Sequence, residues 1–203
     1  MAFIDTTYFK GKIWLPVDNE YASTFIEQLI DQAERDVLLN ALGYSLYTEF
    51  MNGLAEDAPD EKWLKLRDGA EFTIPILGKD FYTKWPGIKN IEKDSLIAYY
   101  VYYQYLMNRS ATVGQNGLTI QNPQNAVIAS PLDVATEGYN QYVKRYGIDV
   151  HSKFEITIDD DYSIDDNYYP SLYNFIYEMN EQNGEDYYPN WQFKPIKYRA
   201  CGI

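Results

Sequence analysis

The residues that could do chemistry are few. His151 is the sole histidine and Cys201 the sole cysteine. A Ser-His-Asp or Cys-His site would have to be built on His151, and no GxSxG elbow accompanies it; a surface or hinge histidine is the plainer reading. One His and one Cys fall short of the ligand set of a structural zinc. Asp159, Asp160, Asp161, Asp165 and Asp166 crowd the stretch DDDYSIDD, and hard cations such as Ca²⁺ want carboxylates. The run lacks the DxDxDG…E spacing of an EF-hand, so a solvated acidic loop is the plainer reading, and whether loop 159–166 takes a cation stays open. Carboxylates are plentiful, with 30 Asp and Glu, but nothing singles out a pair of the kind that flanks a glycosidic bond. Gly114 and Gly117 in TVGQNG fit neither GK[ST] nor GxGxxG. The sequence carries no positive signal for an enzyme and implies no metal and no cofactor.

The elements that would position any site are organised around residues 91–112, IEKDSLIAYYVYYQYLMNRSAT. Free of Pro and Gly, this stretch predicts a helix of roughly 30 Å. Ile97, Val101 and Tyr105 share one face, and Leu96, Tyr100, Tyr103 and Leu106 a neighbouring one. An apolar surface wrapping most of the helix is buried by its own chain, by a partner, or by both. Tyrosine suits either role, since a phenol joins a large apolar area to a polar tip.

Residues 1–18 read as an extended arm, with Phe3, Phe9, Ile13, Trp14 and Leu15 apolar at non-helical spacing and Pro16 as a stop. Asp18 or Asn19 caps a first helix whose Phe25, Ile26, Leu29, Ile30, Ala33, Val37, Leu38 and Ala41 recur at three and four. Gly43 ends it. YSLYTEFMNGL and EKWLKLRDGAEF give two further helices, the latter ending near Gly69. In FTIPILGKDFYTKWPGIKN the segment TIPIL reads as an edge strand, the place where Pro75 is tolerated; Trp85-Pro86-Gly87 is a turn, with Trp85 a hydrophobic plug. A loop or hairpin follows the central helix, and Pro131 opens another helix closed by Gly147. FEITID alternates as a half-buried strand, and YPSLYNFIYEMN forms a short helix with Leu172, Phe175 and Ile176 inward. The aromatic tail carries Lys194, Lys197 and Arg199, and docks on its own acidic body or on that of a neighbouring copy. The expected fold is thus mainly α: a helical bundle around a central tyrosine-rich helix, with an extended N-terminal arm and a small β or extended C-terminal elaboration. Its divisions are an arm at 1–18, a helical domain at 19–148 and an extension at 149–203.

Composition narrows the function. The chain has 203 residues, enough for one domain with an extension, and 21 of them are tyrosine. A net charge of −13 disfavours wrapping around phosphate backbones or docking on anionic lipid. It does not exclude a wall past which DNA slides, since an acidic wall repels DNA rather than holding it. No basic-then-apolar leader opens the sequence and no apolar run is long enough to span a bilayer, so a soluble intracellular protein is expected.

The order of parts carries a resemblance. Ala33, Glu34, Leu38, Leu42, Gly43, Leu46 and Tyr47 form an "AE…L…LG…LY" stretch. Trp63 sits on a short helix, the "YYVYY" helix follows, and after it come the "TVGQNG" loop (Thr112, Gly114, Gly117) and a further helix after "NPQNAVIAS". Over residues 19–148 this resembles the small helical head–tail connector (adaptor, head-completion) proteins of tailed bacteriophages, especially the crAss-like and other phages of Bacteroidetes. The resemblance implies a non-enzymatic virion protein of the neck or tail, made in the host cytoplasm. It also implies a homo-oligomeric, dodecameric ring that meets the portal protein and the next tail component and extends the DNA channel, without sequence-specific DNA binding and without a membrane. On that reading Tyr99, Tyr100, Tyr103 and Tyr105 contribute to core and neighbour contacts. Phe9, Trp14, Trp191, Phe193 and Tyr198 clip neighbouring components together. The residues themselves leave two other classes open, a monomeric carboxylate-based hydrolase and a soluble protein-binding module.

Overall fold

The computed structural model describes residues 2–76, 78–114, 117–120, 131–147, 169–184 and 187–198. The strand expected at FEITID, the acidic run at 159–166, His151, Arg199 and Cys201 lie outside these residues. Among them the chain is mainly helical, with five α-helices and two separate antiparallel hairpins.

Helix α1 spans Glu20–Leu54. Asn19 caps it by accepting from the Ala22 amide at 3.1 Å, which satisfies one of the orphan donors of a first turn. Its apolar stripe, Ile26, Ile30, Ala33, Val37, Leu38 and Ala41, is buried. The expected break falls at Gly43, whose φ of 76° is non-helical, and two helical halves meet across a kink there. Helix α2, Glu61–Asp68, is capped by Asp60 and ends at Gly69. Its Trp63 packs on Phe50 and on Tyr188 near the C-terminus.

Strands β1 (Ala70–Ile76) and β2 (Lys79–Trp85) pair in register from Ala70↔Trp85 to Ile76↔Lys79. The sequence predicts only a lone edge strand in this region. In β2 the buried residues are Phe81 and Trp85, separated by charged or exposed positions, so half-burial hides behind Lys79, Asp80 and Lys84. Trp85 is enclosed, donates its indole N–H to the Leu66 carbonyl at 3.1 Å and stacks on Phe175.

Helix α3 spans Leu96–Ser110. It starts later than residue 91 because Asn90 and Lys93 take left-handed φ values of 43° and 65°. The Ser95 hydroxyl then accepts from the Ile97 amide. After the short hairpin of β3 (Ala111–Gly114) and β4 (Gly117–Ile120), helix α4 runs Pro131–Tyr146 and helix α5 Leu172–Asn183. The main helix–helix contact is α3 on α4, and α3 also packs on α1. Its seam is aromatic. Tyr100 meets Tyr142 at 4.9 Å and Tyr103 meets Tyr139 at 5.0 Å, and Tyr142 leads on to Tyr146 at 5.4 Å. Offset and tilted ring pairs of this kind stabilise beyond the area they bury.

The N-terminal segment is not extended. It forms two 3₁₀ turns, Thr6–Tyr8 and Gly11–Ile13, and it lies on the body. The reason is its apolar content: Phe3, Ile4, Phe9, Ile13 and Leu15 join the same core cluster as α1, α3 and α5. Glu34, buried on α1, accepts from the amides of Phe3 at 2.7 Å and Ile4 at 3.0 Å. Phe3 stacks on Phe50, and the Tyr8 hydroxyl donates to the Lys89 carbonyl at 2.6 Å. Burial, opposed by the two amides, raises the Glu34 carboxyl above its ordinary 4.5. The folded chain therefore holds this proton more tightly than the unfolded chain. The site contributes most below the unfolded value and its contribution falls as pH rises through the raised folded value. In urea unfolding between about pH 4 and pH 7, wild type should lose stability with rising pH relative to Glu34→Gln, which keeps the acceptor oxygen without the charge. A pH-independent difference between the two would contradict this.

Candidate functional site

Two constellations bring distant residues together. The first is centred on Arg145, in the last turn of α4 and 8% exposed at its side chain. Its Nη2 donates to both carboxylate oxygens of Asp94 at 2.7 Å, its Nη1 to the backbone and side-chain oxygens of Gln141, and its Nε to the Asp94 carbonyl. The guanidinium plane lies 4.2 Å from the ring of Tyr99 and 4.7 Å from that of Tyr169. A planar fork between two rings is a task for Arg, not Lys. Burial raises the phenols of Tyr99 and Tyr169, with Arg145 opposing in both cases, so both stay protonated at neutral pH.

Beside this cluster lies a cleft of about 390 Å³, lined among others by Lys12, Ile13, Tyr102, Glu137 and Arg145. It adjoins a hollow of about 350 Å³ against Tyr8, Lys10 and Lys93. Arg145 spends its donors inside the fold, and an arginine does not release its proton in proteins. The Asp94–Arg145 pair is thus a fixed ion pair that ties the segment before α3 to α4 and to Tyr169, rather than an acid–base couple. Lys93 donates to Thr7 and lies over the Tyr8 ring, which fastens the N-terminal segment at the same place. Among the described residues no group of three or more His, Cys, Asp or Glu is placed to hold a metal ion.

The second constellation is made by the break in α1. A helix end leaves carbonyls without intrahelical donors, and here the C-terminal segment supplies them. Gln192 N–H donates to Leu42 O at 3.1 Å, Lys194 N–H to Asn40 O at 2.9 Å, and the Trp191 indole N–H to Ala41 O at 2.8 Å. The Tyr146 hydroxyl donates back to Lys194 O at 2.8 Å. Phe193 packs on Tyr146 and on Tyr173, and Trp191 on Tyr173. A Cβ at Gly43 would stand 2.7 Å from the Gln192 Cβ, so only glycine allows both the backbone angle and the close approach.

The residues expected to mediate contacts between components fall into two groups. Tyr99, Tyr103 and Tyr105 are buried within their own chain and Tyr100 is half-buried; Phe9 is wholly enclosed in its own core. Trp191 and Phe193 are half-buried in the seat just described. Trp14 is 60% exposed and Tyr198 43% exposed. Sequence reasoning missed Arg145 and Asp94, whose separation of 51 positions gives no local signal. It also missed the α4 tyrosines Tyr139, Tyr142 and Tyr146, although their spacing of three and four was readable.

Comparisons with protein-family models, with curated proteins and with solved structures find nothing that matches this chain.

Replacing Arg145 by Lys removes the fork but keeps the charge, and should cost roughly 1–2 kcal/mol in urea unfolding; Arg145→Ala, which strands Asp94, should cost roughly 3 kcal/mol. Costs under about 0.5 kcal/mol for both, the level of an ordinary surface change, would show that the pair does not hold these elements together.

Proposed function

We propose that the chain is a structural virion protein, a head–tail connector that assembles into an oligomeric ring between portal and tail and extends the DNA channel. The reading starts from the sequence resemblance over residues 19–148. The observation that carries it further is the exposure of Trp14. A tryptophan left 60% exposed on a segment otherwise pinned into the core is a rigid aromatic anchor held out from the body, the residue type enriched where protein partners meet. Tyr198 offers a second such group at the other terminus. The net charge of −13 suits a wall that lets DNA pass. Because Tyr99, Tyr103 and Tyr105 are buried in the chain itself, the neighbour contacts in this reading fall to Trp14 and Tyr198 and less to the central helix, with Tyr100 as its half-buried contribution. No helix among the described residues is long and apolar enough to cross a membrane.

The test is solution mass by light scattering, alone and with the portal protein of the same virion. A large defined oligomer, or a monomer that joins a ring only on the portal, is expected. In that assay Trp14→Ala combined with Tyr198→Ala should weaken association by about thirtyfold or more, the effect of truncating aromatic anchors by ~2 kcal/mol. A monomer indifferent to the portal would overturn the proposal.

A further inference from the structure

Two hollows open side by side where the N-terminal segment meets α3 and α4. Both are lined by Lys12, Ile13, Asp94 and Tyr99, so they form one groove, with about 390 Å³ at the α4 end and about 350 Å³ at the other. At the α4 end Ile13, Tyr99, Tyr102 and Val134 supply apolar wall. Gly138 faces them from α4, and a Cβ there would stand 2.9 Å from a ring carbon of Tyr102. Glycine inside a helix is a destabilising choice; here it gives the ring room against α4. The other end is basic. Lys10, Lys12 and Lys93 line it, all exposed, on a chain whose net charge is −13. Among the described residues none of the three closes an ion pair. Lys93 is held in place by the Thr7 hydroxyl at 2.7 Å and by the Tyr8 ring beneath it. Of the acids that line the groove, Asp94 is closed on Arg145. That leaves Glu92 and Glu137 against three lysines, and Glu137 accepts from Gln141 at 2.8 Å. Asp5, which does not line the groove, gives its carboxylate to Thr7.

We propose that this groove binds an acidic segment of a partner protein: an aromatic or aliphatic side chain enters between Tyr99, Tyr102 and Val134, and carboxylates next to it in sequence lie against Lys10, Lys12 and Lys93. Charge selects this occupant. Three ammonium groups are separate point charges, suited to carboxylates placed one by one. The guanidinium of Arg145, the group that would grip a phosphate with a fork, is closed on Asp94 and Gln141. A nucleic acid would bring its repeating charge against the rest of an acidic body, whereas a short acidic segment keeps its charge over the lysines. The walls are set before anything binds. Arg145 ties Tyr99 and α4 to the segment before α3, and Lys93 ties that segment to Thr7, so binding costs little ordering. The site goes beyond the connector reading and does not rest on it; its test uses neither a portal protein nor the oligomeric state.

The probe is a blocked peptide, Asp-Asp-Trp-Leu-Asp-Asp, titrated into the full chain at low salt and followed by calorimetry and by NMR shifts of the backbone amides. Saturable binding should move the amides of Lys12, Tyr102 and Gly138 and should weaken as salt is raised. Lys10→Glu with Lys12→Glu should weaken it by about tenfold or more, the scale of two surface ion pairs lost. Both lysines are exposed, so this variant alters the groove and leaves the core alone. Lys84→Glu with Lys197→Glu makes the same change in net charge on two exposed lysines that do not line the groove, and should weaken binding by less than about twofold. Gly138→Ala tests the apolar end, because the Tyr102 ring must shift; a loss of about tenfold is expected, the scale of one side chain kept out of its pocket. Should Gly138→Ala not fold, the two lysine pairs decide. No binding of the peptide, equal binding of Lys-Lys-Trp-Leu-Lys-Lys, or equal losses in the two lysine pairs overturns the proposal. So does an oligodeoxynucleotide that binds at the same lysines more tightly than the acidic peptide.

Discussion

A helix that stops hydrogen-bonding to itself must find donors elsewhere, and much of this structure follows from where that happens. At Gly43 helix α1 turns through a backbone angle that leaves Asn40, Ala41 and Leu42 with carbonyls for other partners. An unmade buried hydrogen bond costs about 1–3 kcal/mol for each group. The chain meets that demand with its own far end, more than 140 residues later. Because the donors are main-chain amides and one indole, the tail lies extended, with Trp191 and Phe193 turned inward and Gln192 and Lys194 outward.

The tyrosines extend this joint through the body. From Tyr103 and Tyr139, ring follows ring through Tyr142 and Tyr146 to Phe193 and Tyr173. Burial pushes the phenols of Tyr142 and Tyr146 well above their ordinary value, and Tyr146 spends its hydroxyl on the tail carbonyl. The same side chain is thus core filler at one edge and tail receptor at the other. Glu34 and the Asp94–Arg145 pair do a similar service for the N-terminal segment and the start of α3. Both end segments are held by a few directional bonds, the N-terminal one with its apolar side chains sunk in the core and the tail half-buried on its surface.

Which parts were legible in the sequence follows from the range of the interactions. Helices α1, α3, α4 and α5 announce themselves by apolar residues at three and four, and Gly43 by its place inside such a run. The second half of α1 was legible too, because the periodicity resumes directly after Gly43. Strand β2 was hidden because alternate charged residues also look like loop. The N-terminal segment was read as extended because its apolar residues lack a period; burial against Glu34 and Phe50 folds it into turns. The tail seat was beyond reach for a different reason. It is made of backbone carbonyls, which every residue has, so only the position of Gly43 and the aromatic, basic composition of the tail hinted at a meeting. The Asp94–Arg145 pair left no trace, since charge complementarity between distant residues is not encoded in local spacing.

The central claim is that residues 191–194 are a built part of the fold, seated on the broken helix. Hydrogen exchange at the amides of Gln192 and Lys194 tests it most directly. Both amides are bonded to α1 carbonyls at 3.1 and 2.9 Å, so they should exchange about a hundredfold or more below the rate of an open chain. In Gly43→Ala both should return to near that open rate while the α3 amides stay protected. Open-chain exchange at these two amides in the wild-type protein would contradict the account.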